Sequence, residues 1–163
     1  MDRDLGYDAL RRELGKMGDL EVVVGIMQDE VDAESGLSVA EYAFVNEFGT
    51  DDGHVPERSF MRSSFDQHEA EYNRQLREDF EVAVEQIAAG HVGGKAVTKK
   101  MLGRLGLRAE RDVRNQIRDV RAPANAKRTL QRKYPKNNPL IDSGRMRQSI
   151  ASAVRKPGEG GDE

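Results

Sequence analysis

Apolar residues recur at helical spacing from the start of the chain. Tyr7, Leu10, Leu14 and Met17 share one face over residues 4–17, and Gly18 follows as a stop. The period then changes to two. Val22, Val24 and Ile26 alternate along Leu20–Ile26, and this β-branched run suits a half-buried pleated surface. Residues 27–37 form a polar connection. Ser38, with Glu41 three positions on, makes a capping box that opens a helix carrying Val39, Tyr42, Ala43, Phe44 and Phe48, and Gly49 ends it. Thr50–Glu57 is a loop rich in Asp, Gly and Pro.

Two long helical patterns follow. Over residues 59–89, Met61, Phe65, Tyr72, Leu76, Phe80, Val84 and Ile87 form an apolar stripe with His68 in its gap, and the opposite face is acidic. Gly90–Gly94 breaks the pattern. Over residues 95–121, Val97, Met101, Leu105, Ala109, Val113, Ile117 and Val120 form a second stripe, beside a basic row that runs from Lys100 through Arg104, Arg108, Arg111, Arg114 and Arg118 to Arg121. Gly103 and Gly106 each weaken this helix by about 1 kcal/mol relative to alanine, so a kink is expected near them. An antiparallel hairpin that sets the acidic face beside the basic one is the natural packing. Residues 122–139 read as a basic, proline-bounded loop with one helical turn near 125–132. The stretch Asn138–Ile150 runs from an apolar pair, Leu140 and Ile141, through a polar turn into a short helix with Met146 and Ile150 on one face. Asp142 or Ser143 is expected to cap that helix. A strand-like run at 151–156 is the partner expected for Leu20–Ile26. The fold class is therefore α+β: a small mixed or antiparallel sheet packed with several helices, two of them long. Residues 1–156 are expected to form one domain, and the Gly-rich acidic segment 157–163 a disordered tail.

Composition narrows the class. The 163 residues contain no cysteine, which excludes disulfides and thiolate chemistry, and no apolar run approaches the ~20 residues of a membrane helix. The polar start is not a signal peptide, so a soluble cytosolic protein is the default. Charge is segregated: residues 1–94 carry 8 Lys/Arg against 22 Asp/Glu, and residues 95–136 carry 14 against 3, within a net charge of −3. Either the two halves pair inside one subunit, or they serve a charged partner or head-to-tail self-association.

Catalytic chemistry finds no foothold. His54, His68 and His91 are not spaced as metal ligands. No serine lies in a nucleophile elbow, and the glycines near 90–103 do not make a phosphate loop. Asp51 and Asp52 have no neighbour that would split their pKa values for acid–base work. No cofactor or metal is expected, and no enzymatic activity. The arginine row is able to neutralise phosphates, so a non-specific DNA-binding module using helix 95–121 and loop 122–136 is the alternative reading. No helix-turn-helix and no aromatic interleaving accompany it.

Several motifs carry a resemblance when taken in order: Val24-Gly25, then Asn46-Glu47-Phe48-Gly49-Thr50, then Val55 to Phe65 with Pro56, Arg58, Phe60, Met61 and Arg62. Thr129-Leu130-Gln131-Arg132-Lys133 and Pro139 to Ile150 complete the set, which spans residues 22–150. The chain resembles the neck and tail-completion proteins of tailed bacteriophages, the group that includes the Z protein of phage lambda and the G protein of phage Mu. The resemblance implies a structural virion component, assembled in the host cytoplasm, that acts in tail completion or head–tail joining at the head-proximal end of the tail. Implied partners are other neck and tail proteins (tail terminator, tail tube, head-completion ring), with self-association in a ring and non-specific contact with genomic DNA as further options, and no membrane. The glycine and apolar motif positions can serve the fold alone. The polar motif members Asn46, Glu47, Arg58, Arg62, Asp142, Arg145 and Arg147 are the expected assembly contacts, together with Arg104, Arg108, Arg111, Arg114 and Arg118 of the basic row.

Overall fold

A computed structural model describes residues 6–27, 31 and 36–159. The order of elements is helix α1 (Tyr7–Gly15), a 3₁₀ turn (Lys16–Asp19), strand β1 (Glu21–Ile26), helices α2 (Val39–Phe48), α3 (Met61–Ala88), α4 (Gly94–Asp119), α5 (Lys127–Lys133) and α6 (Arg145–Ser149), and strand β2 (Ile150–Arg155). The class is α+β, with two long helices and β1 and β2 paired as a two-stranded antiparallel sheet. The start expected for the first helix, and the last residues of the expected tail, lie outside the described residues. The chain groups into two compact units. One holds residues 1–23, 69–108 and 152–163, and the other holds 24–68 and 109–151.

In the first unit, Ala83 and Ile87 of α3 and Val97 of α4 are buried, and Leu10, Leu14, Met17 and Val92 pack on them. The periodicity of all three helices therefore converges on this cluster. Glu13 joins α1 to the start of α4: its Oε2 accepts from the Gly94 amide at 2.9 Å. A Cβ at Gly94 would lie 1.9 Å from the Glu13 carbonyl oxygen, so only glycine fits there. Gly106 is also a contact point. A Cβ there would meet Val22 Cγ2 at 2.8 Å and Ser152 Cβ at 3.0 Å. The kink expected at Gly103 and Gly106 is absent, since α4 is continuous from Gly94 to Asp119. Gly106 lets the strands approach the helix, whereas a Cβ at Gly103 would meet nothing.

The second unit is built on Val39, Ala43, Phe60, Val113, Ile117, Leu140, Met146 and Ile150, with Val24, Ile26, Phe65 and Ile141 packed against them. Here Val24 and Ile26 of β1 pack on the core, although all six residues of the strand are half-buried. The capping box of α2 is present: the Ser38 hydroxyl accepts from the Glu41 amide, and the Glu41 carboxylate accepts from the Ser38 amide. Gly49 closes α2 with φ 76°. Two expectations are corrected. Phe48 is 55% exposed, with its ring centroid 4.8 Å from that of Phe44 and tilted 47° to it, and Phe44 is itself exposed, because the buried face of α2 is Val39, Ala43 and Glu47. The cap of α6 is Gly144 in the left-handed region (φ 90°), not Asp142 or Ser143. The turn is held instead by Asn138, whose side-chain oxygen accepts from the Leu140 and Ile141 amides at 2.8 and 2.9 Å. The Asn138 amide nitrogen donates to the last carbonyls of α4, on Ile117 and Arg118.

Candidate assembly surface

The motif Asn46-Glu47 is a joint inside the second unit. An α-helix leaves its first amides unpaired, and a carboxylate is a natural partner for them. Glu47, in the last turn of α2, supplies it for α3. Its two oxygens accept from the amides of Phe60, Met61 and Arg62 and from the Ser59 hydroxyl, all at 2.8–2.9 Å. Burial alone would raise the Glu47 pKa. The amides of Met61 and Arg62, the Ser59 hydroxyl and the Phe60 amide outweigh that cost and hold the carboxyl below its ordinary value.

Arg58 braces the same joint. It is buried, and its guanidinium donates to the Pro123 carbonyl at 2.7 Å, to the Ala124 carbonyl, and to the side-chain oxygens of Asn46 and Asn125. Burial pushes its pKa below the usual arginine value. Asn46 also donates to the Tyr42 carbonyl, which completes its amide. Arg62, on the exposed first turn of α3, pairs with Glu57.

The arginine row of α4 divides by neighbour. Within the first unit, Arg104 pairs with Asp79 at 2.8 Å, and Arg108 pairs with Glu71 and lies over the Tyr72 ring. These are the acidic-beside-basic contacts expected of a hairpin. Within the second unit, Arg114 pairs with Glu110 and donates to the Ile150 carbonyl at 2.6 Å, while Arg147 donates back to the Arg114 carbonyl. Arg111 and Arg118 are exposed and, among the described residues, pair with the adjacent Asp112 and Asp119.

Asp142 and Arg145 lie at an open groove of about 800 Å³ in the second unit. Among the described residues, four cations line it, Arg132, Lys133, Lys136 and Arg145, against one carboxylate, Asp142. Arg132 reaches Asp142 at 3.4 Å. Lys133 is buried and donates to the Asn138 carbonyl at 2.8 Å. Burial lowers its pKa, and the nearby Asp142 charge works in the opposite direction. Lys136 donates to the Asp142 carbonyl. Leu37, Leu140 and Met146 give the groove apolar patches.

Of the twelve expected contacts, then, Glu47 and Arg58 are buried braces, and Arg114 and Arg147 tie α4 to the α6–β2 turn. Asn46 and Arg108 are half-buried and paired, and Arg62, Arg104, Arg111, Arg118, Asp142 and Arg145 are exposed. Asn138 and Lys133 were not singled out from the sequence. A capping-type asparagine before Pro139 was visible there, but its second role on α4 depends on tertiary placement. Among the described residues, no group of His, Asp and Glu side chains is arranged to hold a metal ion, and no helix is long and apolar enough to cross a membrane. Compared with protein-family models, with characterised proteins and with solved structures, the chain matches none.

Proposed function

We propose that this chain is a structural morphogenesis protein of a tailed bacteriophage, acting in tail completion or head–tail joining through charge-complementary contacts with neighbouring subunits. The reading rests on the ordered set of signatures from Val24-Gly25 to Ile150. The structure adds a consistent division of labour among those residues. Phe60, Leu140, Met146 and Ile150 among their apolar members share one core, whereas Phe48 is exposed, and two of their polar members, Glu47 and Arg58, are internal braces. The remaining exposed charges, with the basic groove, supply the surface that an assembly factor needs. In this reading the protein belongs to the neck or head-proximal tail of the virion and is assembled in the host cytoplasm, beside tail-terminator, tail-tube or head-completion rings.

The deciding experiment is electron microscopy of lysates from the cognate phage with this gene stopped early. Filled heads beside separate, full-length tails are expected, and normal infectious particles would overturn the reading. A second reading, non-specific DNA binding, is favoured by one observation. Lys95, Lys99 and Lys100 at the start of α4 are exposed and make no ion pair among the described residues.

A further inference from the structure

The Thr50–Val55 loop follows α2 and is a compact, self-bonded projection. The Asp52 carboxylate accepts from the Thr50 hydroxyl at 2.6 Å and from the His54 amide at 2.9 Å. The Thr50 amide donates to the Val55 carbonyl, the Val55 amide donates to the Thr50 hydroxyl, and Gly53 turns the tip with φ 70°. Asp51, Asp52, Gly53 and His54 are all exposed. The carboxylate of Asp51 has no partner among the described residues. The loop is therefore an acidic knob whose shape is set before any contact is made. No residue of this loop lines the basic groove of its own copy.

We infer that the groove receives the Thr50–Val55 loop of a second copy of this chain, with Asp51 and Asp52 set against Arg132 and Lys136. The inference deepens the assembly reading and rests on it for its biological setting. Three observations carry it. First, the charges are complementary: among the described residues the groove has four cations against one carboxylate, and the knob presents two carboxylates. Complementary fields of this kind fix register and partner choice. Second, the knob is rigid through its own hydrogen bonds, so docking orders little new chain. Third, the groove suits a peptide better than a phosphate strand. The apolar Leu37, Leu140 and Met146 have no use for phosphates. A knob and a groove on one chain can be joined in two ways. Made once per pair, the contact is head-to-tail and repeats into a ring or a filament; made reciprocally, it closes as a two-fold dimer.

The test is the mass of the purified full-length chain, by sedimentation velocity and light scattering, from micromolar to millimolar protein at low and physiological salt. Self-association that weakens with salt is expected. Asp51→Lys and Lys136→Glu, both at exposed positions, should each weaken it roughly tenfold or more, while circular dichroism shows the fold intact. The two changes combined in one chain should restore it, because the swapped charges again match. A monomer at every concentration overturns the inference, and so do single changes without effect or a double change without rescue. The groove is instead a nucleic-acid site if Lys136→Glu abolishes duplex binding by a chain that never self-associates. A monomeric chain whose loss still leaves heads and tails unjoined sinks this inference alone and leaves the assembly reading standing.

Discussion

Glu47 shows how much one side chain can decide. It closes three α3 amides and one hydroxyl, so truncation strands several donors at once. Glu47→Ala should cost about 2–4 kcal/mol, read by urea titration. The pH dependence follows from the sign of the shift. The folded carboxyl lies below the ordinary value of 4.5. Its contribution is therefore complete above that value and is lost as pH falls through 4.5 toward the folded pKa. Glu47→Gln should flatten the acid limb of stability, and an unchanged limb would show that other carboxylates set it. The glycines of α4 give an opposed pair. Gly103→Ala meets nothing and should stabilise by up to about 1 kcal/mol. Gly106→Ala presses on Val22 and Ser152 and should destabilise, so thermal melts that move the same way would refute this packing. At this scale the sequence was least legible. Glu47 reads as a surface acid until the register of α2 places it under the first turn of α3. Phe48 reads as core until that same register turns it outward.

At the scale of elements the sequence was far more legible. Local chemistry sets the ends: the Ser38–Glu41 box opens α2 and Gly49 closes it, and both are present in the structure. Ser38→Ala should cost about 1 kcal/mol, measurable in the same titration. The long stripes fixed α3 and α4 to within a few residues, because each spans many turns and repeats its period. The helix of the Asp142–Ile150 motif was less legible. It is only five residues long and has no side-chain cap bond, so its position is set by Asn138 and by burial of Met146. The arginine row poses a sharper question about elements. The Arg104 and Arg111 side chains are exposed, but their partners Asp79 and Asp112 are largely buried, with 12% and 6% of their side chains exposed. Arg104→Glu with Arg111→Glu leaves those carboxylates unpaired beside a like charge, so it should cost more than the ~0–1 kcal/mol of an exposed pair, and circular dichroism and a thermal melt show whether the fold survives. The same double change should lower phage titre sharply if this face meets a neighbour. An unchanged titre would remove the α4 face from the assembly surface.

The charge segregation of the whole molecule left two readings open in the sequence, internal pairing and an external partner. No single-sequence pattern separates them, because both place acids in one stretch and bases in another. The structure resolves part of this. Arg104–Asp79, Arg108–Glu71 and Arg155–Glu21 are pairs inside the first unit. Arginines already matched to carboxylates release few counterions from DNA. The slope of log K against log salt is about −0.9 per phosphate neutralised. The net charge of −3 adds a repulsive background. Duplex binding should therefore be no tighter than the weak end of the non-specific range, about 10⁻⁴ M at physiological salt, with a slope shallower than about −3. Fluorescence anisotropy of a labelled duplex, titrated at several salt concentrations, measures both. Micromolar affinity with a slope near −6 would mean that about seven phosphates displace the internal carboxylates. In that case the basic face of α4 is a DNA surface first, and its pairing with α3 is what holds it in check when DNA is absent.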